Sequence, residues 1–277
     1  MPELPEVEFG RRQLAEALVG ETIAEVDAAD DCIVYEGVSP EMVVAALRGA
    51  RVLGAHRRGK QLWLSLDRRP WPLFHFGMTG GFVTPDAPGL QLHTGPSLGA
   101  VWPPRFSKLV LTTASGRRLS MTNARRLGRI RLREDPPNES PIAELGFDPL
   151  LEPPEAETLL EKLKRRRGAL KGLLLDQRFA AGVGNWVADE VLHAAGLDPR
   201  RVANTLSIQD AQRLAWALTD ITKKAVDADA DADRYPKGWL FHRRWHPTEG
   251  MTTAKGDAIE LLTVAGRTTV WVPARQH

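Results

Sequence analysis

Pro2 followed by Glu3 is the pair in this chain with the most direct route to chemistry. Removal of Met1 would free the secondary amine of Pro2 and leave a carboxylate beside it. An α-amino group has a pKa of about 7.7 to 8.0, so a useful fraction is unprotonated near neutrality and can attack carbonyl carbons to form Schiff bases. Proline's ring amine still forms the iminium. The plain structural explanation is a helix that opens on proline. Acids in a first turn suit the positive end of the helix dipole, and a helical pattern runs through Arg11, Leu14 and Leu18 to Gly20, so that explanation covers Glu6 and Glu8. It gives no reason for Pro2-Glu3.

The elements that must position this pair fall into two zones and a tail. Short apolar runs with strand character occupy 22–26, 61–66, 73–78, 109–113 and 129–132, with turn signals at Asp67-Arg68 and Ser115-Gly116. They predict a β-sandwich with the first helix packed on it. A passage over 135–155 holds six prolines, Pro136, Pro137, Pro141, Pro149, Pro153 and Pro154, and reads as a linker. Helices are expected over 157–175, 185–195 and 207–226, the last with Ser207 as N-cap and Asp210 at the capping-box position. Alternating Asp and Ala over 227–233 reads as an exposed acidic connector, and 261–264 with 268–272 around Ala265-Gly266 as a β-hairpin. The fold class is α+β. The expected domains are 1–134, a linker over 135–155, a helical domain over 156–232 and a terminal finger over 233–277.

Further motifs carry candidate chemistry. Lys60 lies in Arg57-Arg58-Gly59-Lys60-Gln61-Leu62-Trp63-Leu64, where an edge charge is the usual explanation. His75-Phe76-Gly77-Met78-Thr79-Gly80 ends an apolar strand with glycines that allow an exposed tight turn. Asn123-Ala124-Arg125-Arg126-Leu127-Gly128 adds two adjacent cations and an apolar residue. In Ala181-Gly182-Val183-Gly184-Asn185-Trp186, glycines precede a helix whose amino end can receive a phosphate.

Taken in order from Pro2-Glu3-Leu4-Pro5-Glu6-Val7-Glu8 to Ala194-Ala195-Gly196-Leu197-Asp198-Pro199, these segments resemble the formamidopyrimidine-DNA glycosylase and endonuclease VIII family. Those are bifunctional enzymes that remove oxidised bases and then cut the backbone. Leu4 stands where the endonuclease VIII branch more often has Gly, which favours the formamidopyrimidine branch. The resemblance implies Pro2 as nucleophile, Glu3 as proton-transfer partner, Glu6 as support and Lys60 as an auxiliary catalytic residue near the damaged base and a phosphate. It implies Met78 as the wedge that fills the gap left by a flipped base, and Arg125 as the arginine that reads the opposite base. Leu127 is a second wedge where many relatives carry phenylalanine, and Asn123-Ala124 replaces the usual Asp-Pro. Asn185 would grip phosphates from a helix-two-turns-helix element, and Arg267 from the finger.

The finger carries four zinc-binding cysteines in bacterial relatives, and such a site needs paired thiolates or histidines at short spacing. This chain has one cysteine, Cys32, and no CxxC; His242 and His246 alone do not make a site. Gly266-Arg267-Thr268-Thr269-Val270-Trp271-Val272-Pro273 instead resembles the zincless finger of plant and fungal relatives, supported by Gly238-Trp239-Leu240-Phe241-His242 and Leu174-Leu175-Asp176-Gln177. No metal and no cofactor are expected, and core packing of the hairpin is expected to replace metal coordination.

A formal charge of +2 from 37 basic and 35 acidic side chains permits a nucleic-acid partner without requiring one. The expected partner is double-stranded DNA carrying oxidised bases or abasic sites, met by a monomer. No segment reads as a signal peptide or membrane span, so the expectation is cytoplasmic, at the nucleoid of a bacterium, or nuclear in a eukaryote. Two alternatives stand beside the main one: an endonuclease VIII-like glycosylase for oxidised pyrimidines, and a catalytically silent paralogue that binds damaged DNA. The stretch 227–245 looks short beside relatives that fold a loop over flipped 8-oxoguanine, which favours formamidopyrimidines and hydantoins as substrates.

Overall fold

Helix α1, Leu4–Leu18, begins at a proline in its first turn and buries Leu4, Val7, Leu14 and Leu18. These apolar side chains recur at helical spacing and form one stripe. In this computed structural model, residues 1–277 are described apart from 87, 88, 90–96, 100, 246, 247 and 249. The chain divides into two units, Met1–Glu144 and Leu145–His277. The division falls inside the proline-rich passage, part of which forms 3-10 turns at Pro136–Asn138 and Ile142–Glu144.

The first unit is a β-sandwich. Its strands are β1 (Ile23–Ala28), β2 (Val52–Arg58), β3 (Gln61–Leu66), β4 (Trp71–His75), β5 (Gly81–Val83), β6 (Ser107–Thr113), β7 (Arg118–Thr122) and β8 (Arg129–Arg133), with helix α2 (Pro40–Leu47) between β1 and β2. One sheet runs β1-β6-β7-β5 and the other β2-β3-β4-β8. All their pairings are antiparallel. Leu109 and Leu111 of β6 point inward at alternate positions and meet Leu62, Phe74, Phe82 and the α1 stripe in one core. The five expected strands are present. The run over 73–78 ends as a strand at His75, because Gly77, Met78 and Thr79 form a turn. The sequence reading had no α2, β2, β5 or β7; β2 and β5 lie at sheet edges, where few side chains are buried and the alternation is weak.

In the second unit, α3 (Ala156–Lys164), α4 (Leu170–Leu175), α5 (Asn185–Ala195) and α6 (Ile208–Asp227) are followed by the short α7 (Phe241–Arg244) and the hairpin β9 (Glu260–Val264) and β10 (Arg267–Trp271). The expected single helix over 157–175 is two helices. Ala169 bridges to Val202, and the Leu170 N–H donates to the Arg201 carbonyl, so this backbone is pulled out of the helix ladder by a distant segment. Ser207 caps α6 in a reciprocal capping box with Asp210, as its spacing predicted. The connector over 227–233 is only half as expected: Ala228 and Ala230 are buried at 8% and 7% exposure, while the intervening aspartates face outward or lie at the surface. At the hairpin turn Ala265 and Gly266 both have positive φ, the geometry that matches strand twist in a two-residue hairpin loop.

Gly10 is where α1 comes closest to the sheets. A Cβ there would lie 2.6 Å from the tip of the Phe76 ring, and that ring is held edge-on against Phe82 at 5.1 Å. Gly10→Ala gains about 1 kcal/mol of helix propensity but overpacks a rigid aromatic contact, which costs about 1–3 kcal/mol. A net loss of about 1 kcal/mol is expected in urea unfolding; an alanine variant as stable as the parent would contradict this packing.

Candidate active site

The amino terminus is built by a capping box. Glu3 is the N-cap of α1, its backbone N–H donates to Glu6 Oε2 at 2.9 Å, and the two side chains close the box reciprocally. Glu3 therefore has a helix-capping role that the sequence reading did not see. Pro2, Glu3 and Glu6 are all buried while Met1 is attached. Burial, and then the nearby Glu3 carboxylate, push the Glu6 carboxyl up to about 7, while the terminal ammonium pulls it down. The terminus thus holds an amine within electrostatic reach of a carboxyl that can exchange protons near neutrality.

Lys60 is buried in the turn that joins β2 to β3. One side chain ties this turn to α1. Arg57 donates from Nε to Glu8 Oε2 at 3.2 Å and from its guanidinium to the Gly59 carbonyl at 3.0 Å. Glu8 also takes Arg11 in a fork at 2.9–3.0 Å. Burial raises the Glu8 carboxyl, but Arg11 and Arg57 outweigh it and hold the group below the usual carboxylate range. His75 pairs with Gln61 across the β3–β4 ladder. Burial pushes the His75 ring down to about 4, and the charges of Lys60, Arg131 and Arg129 push the same way. The ring is neutral at physiological pH. Its Nδ1 accepts from the Gly77 N–H at 3.1 Å, which leaves Nε2 as the N–H donor.

Met78, Arg125 and Leu127 are brought together by a buried amide. Asn123 donates from Nδ2 to the Phe76 carbonyl at 2.8 Å, and its Oδ1 accepts from the N–H groups of Leu127 at 2.9 Å and Gly128 at 3.1 Å. Gly77, at φ +62, lies so close to Leu127 that a Cβ would sit 2.3 Å from the Leu127 backbone. The Met78 turn and the Arg125 loop are therefore one unit. Arg125 is exposed and makes no hydrogen bond or ion pair with the described residues, and Leu127 is 42% exposed. The sequence marked Asn123 only as a departure from a pattern. Its function needs an amide, since a carboxylate could accept but not donate to Phe76.

In the second unit Asn185 opens α5 and donates from Nδ2 to the Thr268 carbonyl at 3.1 Å. Thr268 follows Arg267, so the helix terminus and the finger cation are neighbours. Arg267 is exposed, with no side-chain partner among the described residues. Gln177 shapes the glycine-containing loop ahead of α5, donating to the Val183 carbonyl at 2.8 Å and accepting from the Gly182 N–H at 3.0 Å. The hairpin is fixed by a buried ion cluster. Lys171 pairs with Asp189 at 2.6 Å and donates to Thr269 Oγ1 at 2.7 Å; Asp189 also pairs with Arg244 and accepts from the Val270 N–H at 3.1 Å. Lys171 is 0% exposed. A small core of Leu240, Ile259, Val270 and Val272 lies beside these charges. No group of three metal-ligating side chains occurs among the described residues, and His246 lies outside them.

Residues 1–130 match the model of the formamidopyrimidine-DNA glycosylase N-terminal domain, and residues 145–237 that of the formamidopyrimidine-DNA glycosylase H2TH domain. A formamidopyrimidine-DNA glycosylase of Arabidopsis thaliana is 39% identical over the whole of this chain and 71% of its own length. The chain belongs to the formamidopyrimidine-DNA glycosylase family. A relative of that name from Paracoccus denitrificans is 34% identical, with each chain covered in full. The MutM (Fpg) protein of Thermus thermophilus superposes with a TM-score of 0.77 at 33% identity, over 99% of this chain and 98% of that one. Lactococcus lactis Fpg bound to DNA containing FAPY-dG gives 0.80 at 25% identity, over 99% and 100%. The α+β fold of sandwich, H2TH helices and hairpin is the fold of this family.

Two outcomes follow from this geometry. Between about pH 4.5 and 7 folded Glu6 holds a proton that the unfolded chain has lost, so its contribution to stability declines as pH rises through that window. Glu6→Gln can still accept the Glu3 N–H but cannot ionise; its melting temperature, relative to the parent's, is expected to rise across that window, and parallel curves would contradict a raised Glu6. Removing Asp189 strips the counter-charge from two buried cations. Asp189→Ala should cost about 3–5 kcal/mol and loosen the hairpin, measured by hydrogen exchange over 260–271, while chelator leaves the parent's melting temperature unchanged.

Proposed function

We propose that this chain is a bifunctional DNA glycosylase and abasic-site lyase of base excision repair. The observation that carries the reading is the amino terminus: Glu3, which follows Pro2, is held in a capping box with Glu6, whose carboxyl burial pushes up to about 7, and Arg57 links that helix to the turn bearing Lys60. With Met1 removed, the Pro2 amine attacks C1′ of the damaged nucleotide and the base departs with the electrons of its glycosidic bond; the sugar ring then opens at C1′–O4′, O4′ taking up a proton, and the iminium forms. Glu3 transfers the proton, Glu6 holds the site, and Lys60 contacts the damaged base and a phosphate. The iminium is itself the electron sink, so the residues present suffice for successive β- and δ-elimination, which leaves a one-nucleoside gap with phosphate at both ends.

Asn185 and Arg267 grip phosphates, which fixes the register of the duplex without reading its sequence. Met78 and Leu127 fill the space vacated by the flipped base, and Arg125 meets the base opposite. Flipping costs a few kcal/mol, and inserted apolar side chains offset part of the lost stacking. Formamidopyrimidines and hydantoins are the favoured substrates, ahead of 8-oxoguanine and of oxidised pyrimidines. The place of action is where the DNA lies, the nucleoid of a bacterium or the nucleus of a eukaryote.

Borohydride trapping on a duplex with an abasic site tests the reading. Protein lacking Met1 is expected to yield a covalent adduct that maps to Pro2 by mass spectrometry, whereas protein retaining Met1 yields none. An adduct at another residue, or full strand cleavage by the Met1-retaining form, would refute the proposed nucleophile. A lesion panel in the same duplex, with guanidinohydantoin cleaved faster than 8-oxoguanine, checks the substrate order.

A further inference from the structure

Asp31 lies in the loop after β1, far in sequence from every residue assigned a role above, and it is buried at 4% exposure. Its carboxylate holds two cations from two other elements. Lys108 of β6 approaches at 2.7 Å, and Arg126 lies across both oxygens as a fork, Nε at 3.0 and 3.1 Å and the terminal nitrogen at 3.0 Å. Oδ1 also accepts from the N–H groups of Ile33 at 3.2 Å and Val34 at 3.3 Å, so the acceptor is itself fixed. Such fork pairs constrain direction as well as distance.

Arg126 is the middle residue of Arg125-Arg126-Leu127. Its backbone sits at φ +54, a left-handed conformation that an arginine adopts only when its surroundings enforce it. Two devices enforce it. Asn123 holds the N–H groups of Leu127 and Gly128 from one side, and Asp31 draws the Arg126 side chain back from the other. All three side chains, Arg125, Arg126 and Leu127, are exposed, but Arg126 is tied to Asp31 while Arg125 makes no hydrogen bond or ion pair with the described residues.

We propose that Asp31 is a positioning residue for opposite-base selection: through the Arg126 fork it sets the backbone reversal that presents Arg125 to the base facing the lesion. It touches neither base nor sugar. This inference rests on the reading of Arg125 given under Proposed function.

The test compares kcat/KM for one lesion placed opposite cytosine and opposite adenine, together with lyase activity on a single-stranded abasic site, which has no opposite base. Asp31→Asn is expected to shrink the ratio between the two duplexes by about tenfold, the order of one charge-assisted hydrogen bond, with the single-strand lyase rate within about twofold of the parent. Arg126→Lys keeps the charge, loses the fork and should show the same loss, which covers the case in which Asp31→Asn fails to fold. Combining either change with Arg125→Ala should lower the ratio no further than Arg125→Ala alone, because all act through one contact. An unchanged ratio in both single variants, or equal losses on duplex and single strand, would overturn the proposal while leaving Arg125 as the reader. If Arg125→Ala itself leaves the ratio unchanged, the reading of Arg125 fails and the proposal falls with it.

Discussion

Arg57 fixes the geometry on which the chemistry depends. Its guanidinium is almost wholly buried and meets the Glu8 carboxylate of α1 on one side and the Gly59 carbonyl on the other. The amino terminus begins α1 and Lys60 follows Gly59, so one planar side chain sets how far the helix that Pro2 precedes stands from the turn that carries the lysine. Buried pairs of this kind are costly to desolvate and bring little net stability over an apolar pair of the same shape. What they do supply here is registration. An apolar contact would allow α1 to slide on the sandwich, whereas a fork between a carboxylate and a carbonyl has one geometry.

The same device recurs wherever a functional segment has to be held. Asn123 joins the Met78 turn to the Arg125 loop through three backbone groups, and Asp31 holds Arg126 from the opposite side. Lys171, Asp189 and Arg244 hold the hairpin through buried charge. In each case a buried polar group satisfies backbone atoms of a loop that has too little apolar surface to dock by burial alone. Among the described residues the apolar cluster beside the hairpin is small, Leu240, Ile259, Val270 and Val272, and the charges add fixed polar ties to it.

Much of this was legible from residue order. The first helix, the sandwich, the helix from Asn185, the Ser207 cap and the two-residue hairpin turn all follow from periodicity and turn chemistry, and the folded chain has them. Strands β2 and β5 escaped because few of their side chains are buried and the alternation is weak. The sequence shows one helix over 157–175 because the partner that breaks it, Val202, is remote in sequence. Among the functional candidates, Pro2-Glu3, Met78, Arg125, Asn185 and Arg267 stood out by motif. Asp31, Arg57, Asn123 and Asp189 did not, since each is a common polar residue whose value lies only in what it touches.

By itself the sequence determined the chemical inventory: a proline beside a carboxylate directly after Met1, a single cysteine that rules out a cysteine-clustered metal site, and the local elements on which each candidate sits. Only tertiary structure decided which inventory members meet. Burial and the Glu3 carboxylate push the Glu6 carboxyl up to about 7 in the folded chain, and Asp31 finds its partner in Arg126, 95 residues away in the chain. Local pattern reports what a residue prefers next to its neighbours. Burial, pairing and charge are set by groups that folding brings from elsewhere.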